Sequence, residues 1–261
     1  MPINLAKNHS RVNPKHCLIF AHRGSKYNRP ENTLSAFREA LNVKSDGIEL
    51  DVHLSKDKQL IVIHDEKVNR TTSGKGFVSE MTLSELKQLD AGSWFHKSFQ
   101  GEKIPTLKEV LDLLVDEKFT GYLNIEVKTD IIDYPGIENK LMELMNSRIF
   151  PFKTIYSSFN ITTLRHLHQL GVKEELAILS GKTFQSVKLD GVDDFITGLH
   201  LKQNYVFKHP KLIDSNSKAI RLWVINSEKD MRRIFQHNIS GLFTDYPEKA
   251  IKLRENYGRK Y

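Results

Sequence analysis

Apolar residues fall into nine short runs, separated by stretches in which apolar positions recur every three or four residues. The runs are CLIFAH (17–22), GIELDVHL (47–54), QLIVIH (59–64), GYLNIEVK (121–128), TIYSSF (154–159), ELAILS (175–180), FITGLHLK (195–202), IRLWVIN (220–226) and GLFTD (241–245). Runs of this length and character read as β-strands, and the periodic stretches between them as amphipathic helices. In GIELDVHL the alternation is strict. Ile48, Leu50 and Val52 share one face, and Glu49, Asp51 and His53 share the other, because successive strand side chains point in opposite directions. One face suits a covering helix layer and the other is ionisable throughout. An exposed amphipathic strand has the same pattern, so this segment alone does not decide between surface and site.

The helical stretches carry start signals. Asn32 or Thr33 can cap LSAFREAL, and Thr106 with Glu109 forms a capping box for LKEVLDLL just after Pro105. Thr82 and Glu85 form another for TLSELKQLD (82–90), and Ser227 with Asp230 resembles one ahead of MRRIFQH. Pro247 suits the first turn of a final helix, EKAIKLREN.

Only the residues SKDK and their neighbours separate GIELDVHL from QLIVIH. A parallel crossover needs about a dozen residues, so these two strands form an antiparallel hairpin. Setting aside the returning strand leaves eight strands alternating with helices, the number that closes a (β/α)8 TIM barrel. The expected fold is α/β, with residues 1–261 as a single catalytic barrel domain. Residues from about 55 to 105 form a small inserted hairpin and helix subdomain after strand two, which carries a Gly-rich turn, SGKGF (73–77). KTFQSVKLDGVDDF (182–195) is a poor helix, and an irregular connection is expected between residues 181 and 220.

Length and charge change this picture little. A chain of 261 residues can bury the core of one large domain. Lys and Arg number 39 against 32 acidic residues, a formal charge of +7. The basic residues are dispersed, with no run like those of nucleic-acid-binding arms. The charge therefore reads as a solvated surface with a bias toward anionic ligands, and a nucleic-acid partner is not expected. The single cysteine, Cys17, opens an apolar run and cannot form an internal disulfide, which suits a reducing compartment. MPINLAKNHSRVNPKH lacks the apolar centre of a signal peptide. No run approaches the roughly 18 apolar residues of a membrane-spanning helix. A cytoplasmic location without stable membrane insertion is the resulting expectation.

Active sites of such barrels lie at the carboxyl ends of the strands. That rule gathers His22 and Arg23 from strand one, Glu49 and Asp51 from strand two, and Glu126 and Lys128 from the next barrel strand. Two carboxylates about 5 Å apart repel by roughly 3 kcal/mol at an effective dielectric near 20, so three converging acids need compensation. A divalent cation supplies it, and an all-oxygen donor set suits Mg²⁺ or Ca²⁺ better than zinc. Ion pairing of Glu49 and Glu126 with Lys128 and Arg23 in a structural network is the alternative. His22 beside Arg23 combines proton transfer with a phosphate grip, although a capping or salt-bridged pair has the same sequence. Asp65 could orient a neighbouring group, and His53 could stand behind the site or face solvent.

The ordered motifs then identify a resemblance. His22-Arg23-Gly24, five residues and PENT (30–33) resemble the signature of the glycerophosphodiester phosphodiesterases. The match continues through ELD (49–51), VIHD (62–65), RTTSGKG (70–76), LKQLDAGSWF (86–95) and GEKIPTLKEVL (101–111). IEVK (125–128), SSF (157–159), LWVIN (222–226) and GLFTDYP (241–247) carry it to the last strand. The resemblance implies a divalent metal, Mg²⁺ or Ca²⁺, held by Glu49, Asp51 and Glu126. It implies His22 and His64 as an acid–base pair, Arg23 and Lys128 as phosphate ligands, and Phe159 and Trp223 against the glycerol carbons. Packing within the barrel wall remains the other reading of those two aromatics. The implied reaction is metal-dependent hydrolysis of a small glycerophosphodiester to sn-glycerol 3-phosphate and an alcohol. Attack by the substrate's own hydroxyl, through a cyclic phosphate, and direct attack by water would use the same residues. A related phospholipase D- or C-like barrel acting on lipids is the nearest alternative, with Trp94, Phe95 and Phe99 as an aromatic rim. A non-catalytic binding protein on the same fold is the alternative of another class.

Overall fold

Closure is the property that positions everything else. In the computed structural model, which describes residues 17–181, 193–208, 213 and 218–258, eight parallel strands pair side by side until the first meets the last. They are β1 (Leu18–Ala21), β2 (Gly47–Leu54), β4 (Tyr122–Val127), β5 (Lys153–Ser158), β6 (Glu175–Ser180), β7 (Gly198–Lys202), β8 (Ala219–Trp223) and β9 (Gly241–Thr244). β1 pairs with both β2 and β9, so the sheet has no free edge within the barrel. The remaining strand, β3 (Leu60–Val62), runs antiparallel to β2, with Val52 opposite Val62 and Leu54 opposite Leu60. The (β/α)8 barrel and the spare hairpin strand are those expected from the chain. The strand bounds differ from the apolar runs by three residues at most.

Helices cover the outer face among the described residues. They are α1 (Leu34–Asn42), α3 (Leu107–Asp116), α4 (Ile137–Met145), α5 (Ile161–Gln169), the single turn α6 (Gln203–Val206), α7 (Glu228–Ile234) and α8 (Pro247–Gly258). Their apolar stripes meet Ile19, Ala21, Ile48, Leu50, Val52, Leu123, Ile125 and Val127 in one continuous core. The start signals work as expected for three of them. Thr106 accepts from the Glu109 amide while Glu109 accepts from the Thr106 amide at 2.7 Å, and Ser227 accepts from the Asp230 amide. Thr33 caps α1 by accepting from the Ala36 amide. Asn32 does not cap; it turns inward, as described below.

Residues following β3 fold over the mouth around a small core shared with that strand, formed by Ile61, Ile63, Val68, Val78, Leu86, Ala91 and Ile104. This segment contains α2 (Leu83–Gln88), with a complete Thr82–Glu85 capping box. The expected irregular stretch at 182–195 lies largely outside the described residues.

The inward face is not uniformly aliphatic. Phe20, Ile155, Ala177 and Phe243 form a separate interior cluster. Beside it on β2, β4 and β5 the inward positions are Glu49, Asp51, Glu126 and Ser157. Arg221 stands over the Phe20 ring and His200 against Phe243, so this apolar cluster is interleaved with buried polar groups, and the acidic layer lies toward the mouth.

Candidate active site

Three carboxylates converge at the carboxyl end of the barrel because two adjacent strands carry them in register. Asp51 on β2 lies opposite Glu126 on β4, and Glu49 is two residues back on the same inward face. Each offers an oxygen within 4.8 Å of the other two, and all three residues are buried. Burial raises the Glu49 carboxyl well above the ordinary carboxylate range, and repulsion from Asp51 and Glu126 adds to the shift. Burial also lifts Glu126, against the opposing pull of the Lys128 ammonium. For Asp51, burial is outweighed by Arg23, His64 and Lys128, and its carboxyl is held below the usual range.

Neighbouring cations compensate this charge in part. Lys128 Nζ donates to Glu126 Oε1 at 2.9 Å, and Arg23 Nε lies 3.4 Å from Asp51 Oδ2. The Arg23 backbone amide donates to Glu49 Oε2 at 2.8 Å. That amide points inward because Arg23 takes a left-handed φ of 54°, followed by Gly24 at 80°. A Cβ on Gly24 would come within 2.7 Å of the Ala36 backbone carbon, so this turn admits glycine alone without rearrangement. Strain of this kind at Arg23, a long L-residue, is stored where a site needs its backbone turned.

Asp51 Oδ1 and Asn32 Oδ1 are buried and have no hydrogen-bond partner. Asn32 Nδ2 donates to Asp51 Oδ2 at 2.9 Å, which brings its free carbonyl oxygen beside the acids. Orphaned buried oxygens next to a carboxylate of unfavourable charge fit an oxygen-seeking divalent cation. The residues present therefore suit a metal, and Glu49, Asp51 and Glu126 are the ones that would hold it.

Two histidines flank this cluster, each braced at Nδ1 by its own carboxylate. His22 Nδ1 lies 2.6 Å from Asp245 Oδ1, and His64 Nδ1 lies 2.7 Å from Asp65 Oδ1. The first pair follows from barrel closure. Ala21 lies opposite Thr244 in the β1–β9 pairing, and His22 and Asp245 are the next residue of each chain segment. Asp245 is fixed in turn by Asn226 Nδ2 at 2.8 Å. Burial and the neighbouring Arg23 lower the His22 pKa despite the Asp245 hydrogen bond, which keeps its imidazole neutral at pH 7. An ionised carboxylate only accepts, so each Nδ1 carries a hydrogen, and each Nε2 is left to accept or to give the proton that is moved.

The remaining expected residues lie at the rim. Phe159 is 37% exposed, and its ring meets Trp223 edge-on at 5.8 Å between centroids. Lys128 Nζ stands 5.8 Å from the Phe159 ring. Trp223 Nε1 donates to the His200 carbonyl at 2.9 Å, which leaves its ring half-buried. His53 does not face solvent. It is fully buried, with Nδ1 2.9 Å from the Tyr134 hydroxyl and Nε2 3.0 Å from the His64 carbonyl oxygen.

Sequence reasoning assigned no role to Asp245 or Asn226 and read Asn32 as a helix cap. Asp245 could have been found from the barrel itself, since it stands one residue beyond the last strand as His22 stands one beyond the first.

A closed eight-stranded barrel, an acidic cluster at its mouth and basic and histidine side chains around that cluster define a phosphoester-handling enzyme class. The glycerophosphoryl diester phosphodiesterase family matches residues 22–249, and the chain belongs to it. The protein is an enzyme, a phosphoric diester hydrolase. It is 40% identical over 244 residues to a glycerophosphodiester phosphodiesterase of Caldanaerobacter subterraneus subsp. tengcongensis, spanning 90% of this chain and 97% of the relative. A glycerophosphodiester phosphodiesterase of Bacillus altitudinis is 39% identical, with 91% of this chain and 98% of the relative covered. Among solved structures it is similar to an Oleispira antarctica phosphodiesterase in complex with the product sn-glycerol-3-phosphate. That match has a TM-score of 0.82 and 28% identity, over 91% of this chain and 96% of the other. A glycerophosphodiester phosphodiesterase from Thermotoga maritima matches with a TM-score of 0.74 and 27% identity, over 91% and 98% of the two chains.

Proposed function

We propose that the protein hydrolyses small glycerophosphodiesters to sn-glycerol 3-phosphate and an alcohol, with His22 and His64 as the acid–base pair and one divalent cation, Mg²⁺ or Ca²⁺, at Glu49, Asp51 and Glu126. The observation that carries this reading is the pair of carboxylate-braced histidines beside a buried acidic triad. The bound cation would neutralise charge that builds on the phosphate oxygens.

Arg23 and Lys128 stand beside the triad and bind the phosphodiester, adding positive charge where the transition state gains negative charge. One histidine accepts at Nε2 the proton of the attacking hydroxyl, which is either the substrate's own or that of water. The other gives a proton to the departing alcohol oxygen. Asp245 and Asp65 hold the two rings in one tautomer and stabilise the imidazolium that forms on each in turn. Phe159 and Trp223 form an apolar wall beside Lys128 for the glycerol carbons.

The reading is tested by release of glycerol 3-phosphate from glycerophosphocholine and glycerophosphoethanolamine, with added Mg²⁺ or Ca²⁺ and with chelator. Release is expected to require the cation and to fall by at least about 10²-fold in His22→Ala and in His64→Ala. Undiminished release in either variant would sink the two-histidine mechanism. Trp94, 39% exposed, packs with Phe95 and Phe99 on the covering segment and supports a second reading, an enzyme for lysophospholipids. The same assay with lysophosphatidylcholine separates the two, because the lipid enzyme would prefer that substrate.

A further inference from the structure

RTTSGKG (70–76) takes no part in the mechanism above, yet Arg70 reaches from it to the mouth. Arg70 Nε donates to Asp65 Oδ2 at 2.8 Å, and Nη2 donates to Asp65 Oδ1 at 2.9 Å. Nη2 also donates to Glu31 Oε1 at 2.8 Å, while Nη1 donates to Glu31 Oε2 at 2.9 Å. A guanidinium has five N–H groups. Four of them are committed to two carboxylates, so Arg70 is a bridge and not a phosphate ligand.

Both carboxylates lead to residues of the proposed mechanism. Asp65 Oδ1 holds His64 Nδ1. Glu31 is buried, and its Oε1 receives Arg23 Nη1 at 2.8 Å. Arg70 is therefore one carboxylate away from an acid–base histidine and one carboxylate away from a phosphate ligand. The two histidines are braced from different places. Asp245 is held by Asn226, which follows β8 of the barrel wall. Asp65 follows the three-residue strand β3, is 30% exposed at its side chain, and has its second oxygen taken by Arg70. A partly exposed aspartate just after a short strand is held more firmly when a bidentate guanidinium fixes both of its oxygens.

We propose that Arg70 is a positioning residue of the active site: by bridging Asp65 and Glu31 it locks the His64–Asp65 pair in place relative to Arg23, so that the covering segment completes the catalytic geometry. The proposal rests on the two-histidine reading and assigns the fold-over segment a part in it.

A double-mutant cycle tests it. Arg70→Ala, His64→Ala and the double variant are compared with wild type for glycerophosphocholine hydrolysis in the presence of Mg²⁺. Arg70→Ala is expected to lower kcat by about 10- to 100-fold with KM within about threefold. In the His64→Ala background the same change should alter kcat by less than about twofold, since the residue it positions is gone. Added guanidinium should restore part of the activity of Arg70→Ala and none of that of His64→Ala. Arg70→Lys keeps the charge but cannot bridge two carboxylates with a planar fork, and it should lose nearly as much. Should Arg70→Ala not fold, the cycle is read with Arg70→Lys. A kcat within twofold of wild type for both Arg70 variants would overturn the proposal and leave the two-histidine reading intact. So would an equal loss in both backgrounds, which marks a merely structural ion pair. Full activity in His64→Ala alone overturns the two-histidine reading, and this inference with it.

Discussion

Glu49 carries a charge that its surroundings disfavour. It is 3% exposed and faces two other carboxylates, and its compensation is a backbone amide and a distant guanidinium. Replacing it by Gln keeps an oxygen for the Arg23 amide and removes one repelling charge. In chelator, Glu49→Gln is therefore expected to match or exceed the thermal stability of wild type. Added Mg²⁺ or Ca²⁺ should raise the wild-type Tm by several degrees, since a ligand at 100 times its Kd adds about 2.7 kcal/mol. The variant should lose most of that rise. Thermal unfolding with and without cation checks both statements, and an equal rise in the two proteins would rule out Glu49 as a ligand.

At the scale of elements, the β2–β3 hairpin is what brings His64 to the mouth, and a buried histidine fastens it. The His64 carbonyl oxygen can only accept, so His53 Nε2 carries the hydrogen that reaches it. His53 Nδ1 then accepts from Tyr134, which stands in the connection between β4 and α4. Burial holds His53 neutral, in keeping with that single tautomer. Tyr134→Phe would leave a buried acceptor without a donor and is expected to cost about 1–2 kcal/mol. In a chain of this size that is a fall of about 2–8 °C in Tm. The effect on kcat should stay within a few-fold, because Asp65 still orients the His64 ring. A Tm within 1 °C of wild type would show that the hydroxyl carries no such load. The hairpin itself was legible from four intervening residues, whereas its fastening was not, since Tyr134 lies 81 residues from His53.

At the scale of the whole molecule, the barrel interior holds a further buried histidine that the mechanism does not use. His200 on β7 is fully buried, with Arg221 Nη1 3.4 Å from its Nε2 and the Phe243 ring 4.8 Å away. Glu175 pairs with Arg221 from below. Burial first, and Arg221 second, hold the His200 pKa well below its ordinary 6.5. In the unfolded chain this group takes up a proton as pH falls through 6.5, and in the folded barrel it does not. The unfolded state then binds more protons, so stability declines below pH 6.5, by at most about 1.4 kcal/mol per pH unit for this group. His200→Asn is expected to flatten that part of the decline, measured as urea unfolding free energy between pH 7.5 and 5.5. Identical slopes in the two proteins would mean that His200 titrates alike in both states.

Periodicity, capping residues and link length by themselves determined the strands, most helix starts, the hairpin and hence the barrel, because each is a property of neighbouring residues. GIELDVHL announced an ionisable face through alternation alone, and Asp51 and Glu126 came together once the strands were read as parallel neighbours. Tertiary structure decided which partner each charged group meets. His22 and Asp245 are 223 residues apart and touch only because β1 pairs with β9. Asn32 stands at a position that local sequence reads as a cap, yet with φ at 55° it points its amide at Asp51 instead. Arg70 reaches Glu31 across 39 residues only once the covering segment folds over the mouth. Local chemistry sets which face a side chain takes. Closure, register and the fold-over of an inserted segment set what lies opposite, and no window of sequence contains that information.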